Sequence, residues 1–428
     1  MHKHVLFVTA LLFGVFSSAS AQNGLSNTFP HQSSNPDTTG VRENFNPFED
    51  DLRFPTLPYY SYRSGLGLTS PDSTFRLNIR FRMQNRATLN LRDNNDDNIE
   101  AVVRRLRLRF DGFVGDPRFL YAIQLSFSPG DVGTINDGDN LNVVRDAMFF
   151  YRPNNRINIG FGQTKLPGNR QRLNSSGALQ LTDRSINNAM FTIDRDYGAH
   201  FYLLNEYEDA FSWNIKTAIS TGEGRNWTAS PGLGLAYTAR VELMPFGNLS
   251  GGGMFFEGDV QRETIPKLLL AATVHRNVDA QRTRGQTGGV LHENRDLTSV
   301  FVDAMFKYQG WAAMWSYMMR TTDNPVTTSA LATPIAVFAG HGTDYQLSYI
   351  FPADYEITTR FSRQKVDNDI RLFAPDRNQY SIGVTKYIWE HALKIQAEIT
   401  RTEIKRYTVS GSENLNDHYI RFQVEIGI

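Results

Sequence analysis

The chain has 428 residues with 44 basic and 44 acidic side chains, so it carries no net charge, and its bulk charge favours no nucleic-acid partner. It contains no cysteine, which excludes disulfides, cysteine zinc sites, thiol nucleophiles and a lipid-modified N-terminal cysteine. After residue 21 no window of eighteen apolar residues occurs, so the sequence predicts no membrane-spanning helix.

Residues 1–21 have the pattern of a secretory signal peptide. A short basic start, MHKH, precedes an apolar run over residues 5–16 and the small residues Ala19, Ser20 and Ala21. The run is too short to span a bilayer, and small residues at these positions favour cleavage before Gln22. We therefore expect an exported protein. Residues 22–70 are rich in Asn, Ser, Thr and Pro without a sustained hydrophobic period, which predicts a flexible N-terminal extension.

From residue 71 to 428 apolar and polar residues alternate with a period of two. Residues 75–84 read FRLNIRFRMQ, in which every odd position is apolar and every even position is polar. Sixteen strands are predicted in this way: 75–84, 101–112, 119–128, 143–152, 156–163, 198–206, 210–220, 232–243, 268–277, 297–308, 311–319, 343–351, 354–363, 379–387, 391–401 and 417–428.

The connectors between these strands alternate in length as well. Those after even-numbered strands are mostly short, such as 152–155 and 352–353, whereas those after odd-numbered strands are long and polar, such as 278–296 and 320–342. A soluble sandwich would also alternate along its strands. Short turns facing long loops instead favour an all-β, 16-stranded antiparallel transmembrane β-barrel in a bacterial outer membrane, with long outer loops, short periplasmic turns, and both termini and the extension in the periplasm. Segment 244–267 is long on the short-turn side, and we interpret it as a periplasmic excursion or a miscounted strand.

The cost of burying charge in lipid predicts which face of each strand lines the lumen. An arginine on the lipid face near the membrane midplane costs about 2–4 kcal/mol, so arginines that alternate with apolar residues should point inward. The inward face of the first two strands then carries a basic patch that we predict to be an anion path: Arg76, Arg80, Arg82, Arg105, Arg107 and Arg109. Guanidinium groups suit oxyanions such as phosphate. The alternative is that these arginines pair with Asp111, Asp146 and loop carboxylates to brace the wall.

Four segments in series resemble the phosphate-selective porin O/P family of outer-membrane anion porins. Residues 104–112 read RRLRLRFDG, residues 144–147 read VRDA, residues 159–168 read IGFGQTKLPG, and residues 194–198 read DRDYG. The resemblance covers about residues 70–428. It implies a homotrimeric porin for small anions, embedded among outer-membrane lipid and lipopolysaccharide, with a constriction loop folded into the lumen after the fifth strand.

In this chain that loop would span about residues 164–197. It contributes the basic residues Lys165, Arg170, Arg172, Arg184 and Arg195, together with three aspartates. A loop of this length is usually functional. The family resemblance implies a lysine cluster near the constriction, and this stretch has only Lys165, which favours general or weak anion selectivity over phosphate specificity.

Other functions rest on weaker patterns. The nine histidines form no H-x-x-H pair, and the Asp- and Asn-rich stretch 93–98 lacks the ligand spacing of a calcium loop, so no cofactor or metal is expected. No Ser/His/Asp order stands out, and we expect no enzyme, although a barrel hydrolase could assemble a triad from distant strands. The alternative to a passive porin is a plugged barrel that serves as a structural or partner-binding component of an envelope complex.

Overall fold

The computed structural model describes residues 65–93, 95–132, 142–226, 234–330 and 332–428. The predicted signal peptide and the extension up to residue 64 lie outside these residues. The strands are β1 (Leu66–Thr69), β2 (Phe75–Arg92), β3 (Asn98–Val114), β4 (Asp116–Ser126), β5 (Val144–Asn154), β6 (Ile157–Lys165), β7 (Arg195–Asn205), β8 (Ser212–Ser220), β9 (Ala236–Met244), β10 (Lys267–Arg282), β11 (Val290–Tyr308), β12 (Trp311–Thr321), β13 (Val326–Ser329), β14 (Ala332–Ala336), β15 (Gly340–Ile350), β16 (Tyr355–Val366), β17 (Asp376–Trp389), β18 (Leu393–Thr408) and β19 (Gly411–Gly427).

Helices occupy only short parts of the described chain. They are α1 (Pro129–Val132), α2 (Arg170–Leu173), α3 (Ile186–Phe191), and 3-10 turns at Ser250–Phe255 and Asn368–Ile370. Among the residues that the structure describes, no helix has the length and apolar character needed to cross a membrane.

Sixteen strands close into an antiparallel barrel. Strands β2 to β12 and β15 to β19 pair in chain order, and β19 returns to pair with β2. Closure gives every strand two neighbours, which satisfies the backbone polar groups that hydrocarbon cannot. Each predicted strand corresponds to one barrel strand, so the predicted fold is confirmed. β13 and β14 form a separate hairpin within the connector predicted at 320–342.

The end of the predicted extension is part of the barrel wall. β1, over Leu66–Thr69, pairs with the first residues of β2, in register from Leu66 opposite Ile79 to Thr69 opposite Arg76. β19 ends opposite Arg82, so β1 pairs with the part of the β2 edge that β19 does not reach. The expectation of an unstructured segment up to residue 70 was wrong for these residues. Their short length hides the period of two, whereas the unpaired edge of β2 supplies their hydrogen bonds.

The two faces of the wall have the predicted polarity. On β3, Arg105 is 3% exposed, whereas its neighbour Leu106 is 38% exposed on the outside. Arg107 and Arg109 are also buried inside the barrel. Alternation along the strand therefore separates a lipid-facing apolar surface from a charged lumen.

The connector between β9 and β10 turns into the barrel. Its 3-10 turn places Met254, Phe255 and Phe256 in a buried apolar cluster with Met305 of β11. Lys307 holds this segment, because its Nζ donates to the carbonyls of three of the segment's residues. The segment is thus neither an external excursion nor an additional strand. Burial of its apolar residues against the lumenal loop explains its inward course.

Candidate functional site

The connector between β6 and β7 crosses the lumen and is anchored on the far wall. Asp344 of β15 accepts hydrogen bonds from three loop side chains: Gln171 at 3.1 Å, Ser185 at 2.8 Å and Asn187 at 2.8 Å. The Ser185 side chain also accepts the backbone N–H of Asn188 and so caps α3. One buried carboxylate therefore holds both ends of the loop's middle section.

Further anchors tie the loop to the last strands. Lys394 of β18 donates from Nζ to the carbonyl of Leu179 at 2.7 Å. Glu398 of β18 accepts from the backbone N–H and the hydroxyl of Thr182, at 2.8 and 2.6 Å. Because these partners are separated by more than 200 positions in the chain, the loop's course is determined by the closed barrel.

The loop and the β9–β10 connector together fill one side of the lumen. Ser175 donates its N–H to the carbonyl of Phe255, and Glu257 donates its N–H to the carbonyl of Ala178. A second apolar cluster contains Phe191 of α3, Phe301 of β11 and other buried side chains. The interior on this side is consequently packed like a protein core.

A basic cavity remains between the loop and strands β2 to β7. It is open-sided, with a cavity volume of about 180 Å³. Its lining contains twelve basic side chains against two carboxylates, Asp131 and Asp194. The basic residues are Arg80, Arg82, Arg104, Arg105, Arg107, Arg109, Arg145, Lys165, Arg172, Arg184, Arg195 and Arg225.

Strand register brings arginines directly opposite one another. Arg80 faces Arg109, and Arg82 faces Arg107, across the β2–β3 pair. Like charges in such positions repel, and carboxylates reduce this repulsion in part. Asp111 accepts from both Arg80 and Arg109, at 2.7 Å each. The wall therefore concentrates positive charge that its own carboxylates only partly neutralise.

A β-bulge adds one arginine that alternation alone does not predict. Gln84 pairs with Arg105 and the next residue, Asn85, pairs with Val103, so Arg104 is the extra residue. By strict alternation Arg104 would share the outward face of Leu106. The bulge instead turns it toward the cavity, where it contacts Asp183 of the loop. Bulges commonly redirect a side chain in this way.

The cavity carboxylates are each surrounded by arginines. Asp131, in α1, pairs with Arg107 at 2.6 Å and Arg145 at 2.9 Å. Asp194 pairs with Arg172, with Arg195 at 3.6 Å, and more distantly with Arg225. Burial would raise the pKa of both carboxyls, but the facing guanidinium groups outweigh it, so each pKa lies below its ordinary range. Both carboxylates are therefore ionised at neutral pH.

The structure gathers most of the predicted site residues and separates two of them. The cavity is lined by five of the six predicted wall arginines, which are Arg80, Arg82, Arg105, Arg107 and Arg109. Four of the five predicted residues of the loop and its β6 and β7 ends line it as well. Arg76 lies nearer the short-turn end of β2, where its Nε donates to Asn78. Arg170 points to the filled side and pairs with the buried Glu242 of β9.

Besides Arg104, sequence reasoning missed Arg145 and Arg225 as lining residues. Arg145 belongs to the VRDA motif, which indicated its strand but not its surroundings. Arg225 follows β8, and only the fold brings it near Asp194. The wall-bracing alternative accounts for part of the geometry, since Arg80 and Arg109 pair with Asp111 and Arg105 pairs with the loop residue Asp183.

A closed sixteen-stranded barrel with an apolar exterior and a loop folded into a charged lumen defines the porin class of outer-membrane channels. The profile of the family described as "Phosphate-selective porin O and P" matches residues 77–340, more than half of the chain. The chain belongs to this family, and the resemblance predicted from its motifs is confirmed.

Solved structures share the fold at low sequence identity. The outer membrane channel DcaP of Acinetobacter baumannii is 14% identical, with a TM-score of 0.51, and the match covers 85% of this chain and 99% of that one. An anion-selective porin from Comamonas acidovorans is 10% identical, with a TM-score of 0.50 and coverage of 82% and 99%. Curated protein sequences give no match. At these identities the similarity shows the fold alone.

Proposed function

We propose that this porin allows passive diffusion of small hydrophilic anions such as phosphate. The lining of the cavity carries the proposal, because twelve basic side chains face it with two carboxylates. A water-filled passage with this excess of fixed positive charge attracts anions and repels cations. The Comamonas protein's description as anion-selective agrees with this reading.

The spacing of the charges favours movement over trapping. Same-face residues on one strand lie about 6.8 Å apart and neighbouring strands about 4.8 Å apart. Successive guanidinium groups are therefore close enough for an anion to pass directly from one to the next. An anion can then exchange partners along β2 and β3 without leaving the basic surface. Lys165 is the single lysine of the lining, and we propose a general anion preference in place of strict phosphate specificity.

The cellular setting follows from the same proposal. Residues 1–21 serve as a cleaved signal peptide, and the short turns and both termini face the periplasm. The apolar exterior contacts outer-membrane lipid and lipopolysaccharide. The family resemblance supports a homotrimer.

Reversal potentials across a planar lipid bilayer test the selectivity. With a potassium chloride gradient, the purified full-length protein should give a potential of the sign set by chloride. A comparison of chloride with phosphate then measures how far the pore discriminates among anions. A potential set by potassium would contradict the proposal.

A plugged barrel is the second candidate. It is favoured by the crossing loop and the β9–β10 connector, whose buried residues fill one side of the lumen. Single-channel recording separates the two candidates, since an open passage beside the loop gives discrete conductance steps and a plugged barrel gives none.

A further inference from the structure

Three arginines of the barrel wall converge on one loop carboxylate. Asp183 pairs with Arg86 at 3.3 Å, with Arg104 at 2.8 Å and with Arg105 at 3.0 Å. Arg104 makes a two-nitrogen contact with a single oxygen, through Nε at 3.1 Å and Nη2 at 2.8 Å. Guanidinium groups are the side-chain donors best suited to carboxylate and phosphate oxyanions.

The cluster remains both positively charged and reachable. Three guanidinium groups face one carboxylate, so two positive charges are left over at the site. The side chains of Asp183 and Arg104 are each 25% exposed, and Arg104 and Arg105 belong to the lining of the basic cavity. A dissolved anion can therefore approach the arginines that Asp183 occupies.

The loop backbone around Asp183 has anchors besides the Asp183 side chain. The preceding residue, Thr182, is held by Glu398 through its N–H and its hydroxyl. The backbone carbonyl of Asp183 accepts from Arg360 at 3.0 Å. Rotation of the carboxylate away from the arginines leaves these two anchors in place and gives up one contact with the backbone N–H of Arg184.

We propose that Arg86, Arg104 and Arg105 form an oxyanion-binding subsite whose resident ligand is the Asp183 carboxylate, which divalent oxyanions displace as they pass. The subsite rests on the proposed function, since it acts on the anions that enter the lumen. Asp183 lowers the affinity of the passage for these anions by competing with them, and so keeps bound anions from blocking the current.

Sulfate titration of the chloride current in planar bilayers tests the subsite. Asp183→Asn keeps a hydrogen-bond acceptor but removes the competing charge. It should lower the half-blocking sulfate concentration about tenfold, which corresponds to about 1.4 kcal/mol. Asp296→Asn is the matched control, because it removes an exposed carboxylate that pairs with Arg276 outside the lining of the cavity. Its effect should stay within about twofold, since screening weakens charges that make no direct contact.

Equal sulfate block in Asp183→Asn and the wild type, or an equal shift in Asp296→Asn, would overturn the subsite. Asp183→Ser is a second variant that removes the charge with a smaller side chain. If neither variant assembles, as judged by heat-modifiable gel migration, Asp183 is a structural residue and the subsite is also overturned. A wild-type reversal potential set by potassium would instead reject the proposed function itself.

Discussion

Replacing Arg107 with glutamine removes one positive charge from the cavity without releasing its carboxylate partner. Arg107 pairs with Asp131 and donates to the hydroxyl of Ser176 at 2.9 Å. In Arg107→Gln, Asp131 keeps Arg145 at 2.9 Å and the hydroxyl of Ser126 at 2.7 Å. The buried carboxylate therefore stays paired, and we expect the barrel to assemble.

The size of the effect follows from Coulomb's law in a water-filled lumen. A unit charge about 6 Å from a passing ion contributes about 0.7 kcal/mol at the dielectric constant of water. The sign is opposite for anions and cations, so the loss of Arg107 changes their difference by about 1.4 kcal/mol. The ratio of anion to cation permeability should therefore fall about tenfold.

Reversal potentials in a potassium chloride gradient measure this ratio. Arg276→Gln is the control, because Arg276 is exposed and pairs with Asp296 away from the cavity. This variant removes the same charge and should leave the reversal potential unchanged. An unaltered potential in Arg107→Gln, or the same shift in both variants, would refute the assignment of Arg107 to the anion path.

Three further predictions concern stability and pH. Arg170→Met leaves the buried Glu242 with fewer cations around it. We therefore expect the free energy of unfolding in detergent to fall by about 3 kcal/mol. The reversal potential should stay unchanged, and altered selectivity would contradict this. Lys307→Met removes the donor to three buried carbonyls of the β9–β10 connector, which should lower the urea midpoint; an unchanged midpoint would show that the connector does not need this anchor. Burial raises the pKa of the Asp183 carboxyl, but the charges of Arg105, Arg104 and Arg86 lower it by more. The pKa therefore lies well below its ordinary range. The stabilisation from this pairing is therefore complete above the unfolded pKa of about 3.9 and is lost only as pH falls through the lower folded value; a pH titration of sulfate block that shows a transition above about pH 5 would contradict it.

The strands could be predicted from the sequence because the alternation of apolar and polar residues depends only on residues that are close in the chain. Alternation over residues 75–84 and 105–110 predicts two faces, and the cost of an arginine in lipid determines which face is inside. The inward positions of Arg105, Arg107 and Arg109 were therefore predictable. The lumenal loop that follows the motif at residues 159–168 was expected from the family resemblance and not from the alternation.

Which residues line the cavity depends on contacts between residues that are far apart in the chain. Asp344, Lys394 and Glu398 hold the loop from the opposite wall, and the β9–β10 connector fills the space on that side. Arg170 pairs with Glu242 away from the passage, while a bulge turns Arg104 toward it. Sequence alone determined a membrane barrel with arginines inside, since a period of two and the cost of charge in lipid act residue by residue. Only the tertiary structure decided which arginines share one passage, because closure of the barrel and packing of its interior act between distant residues.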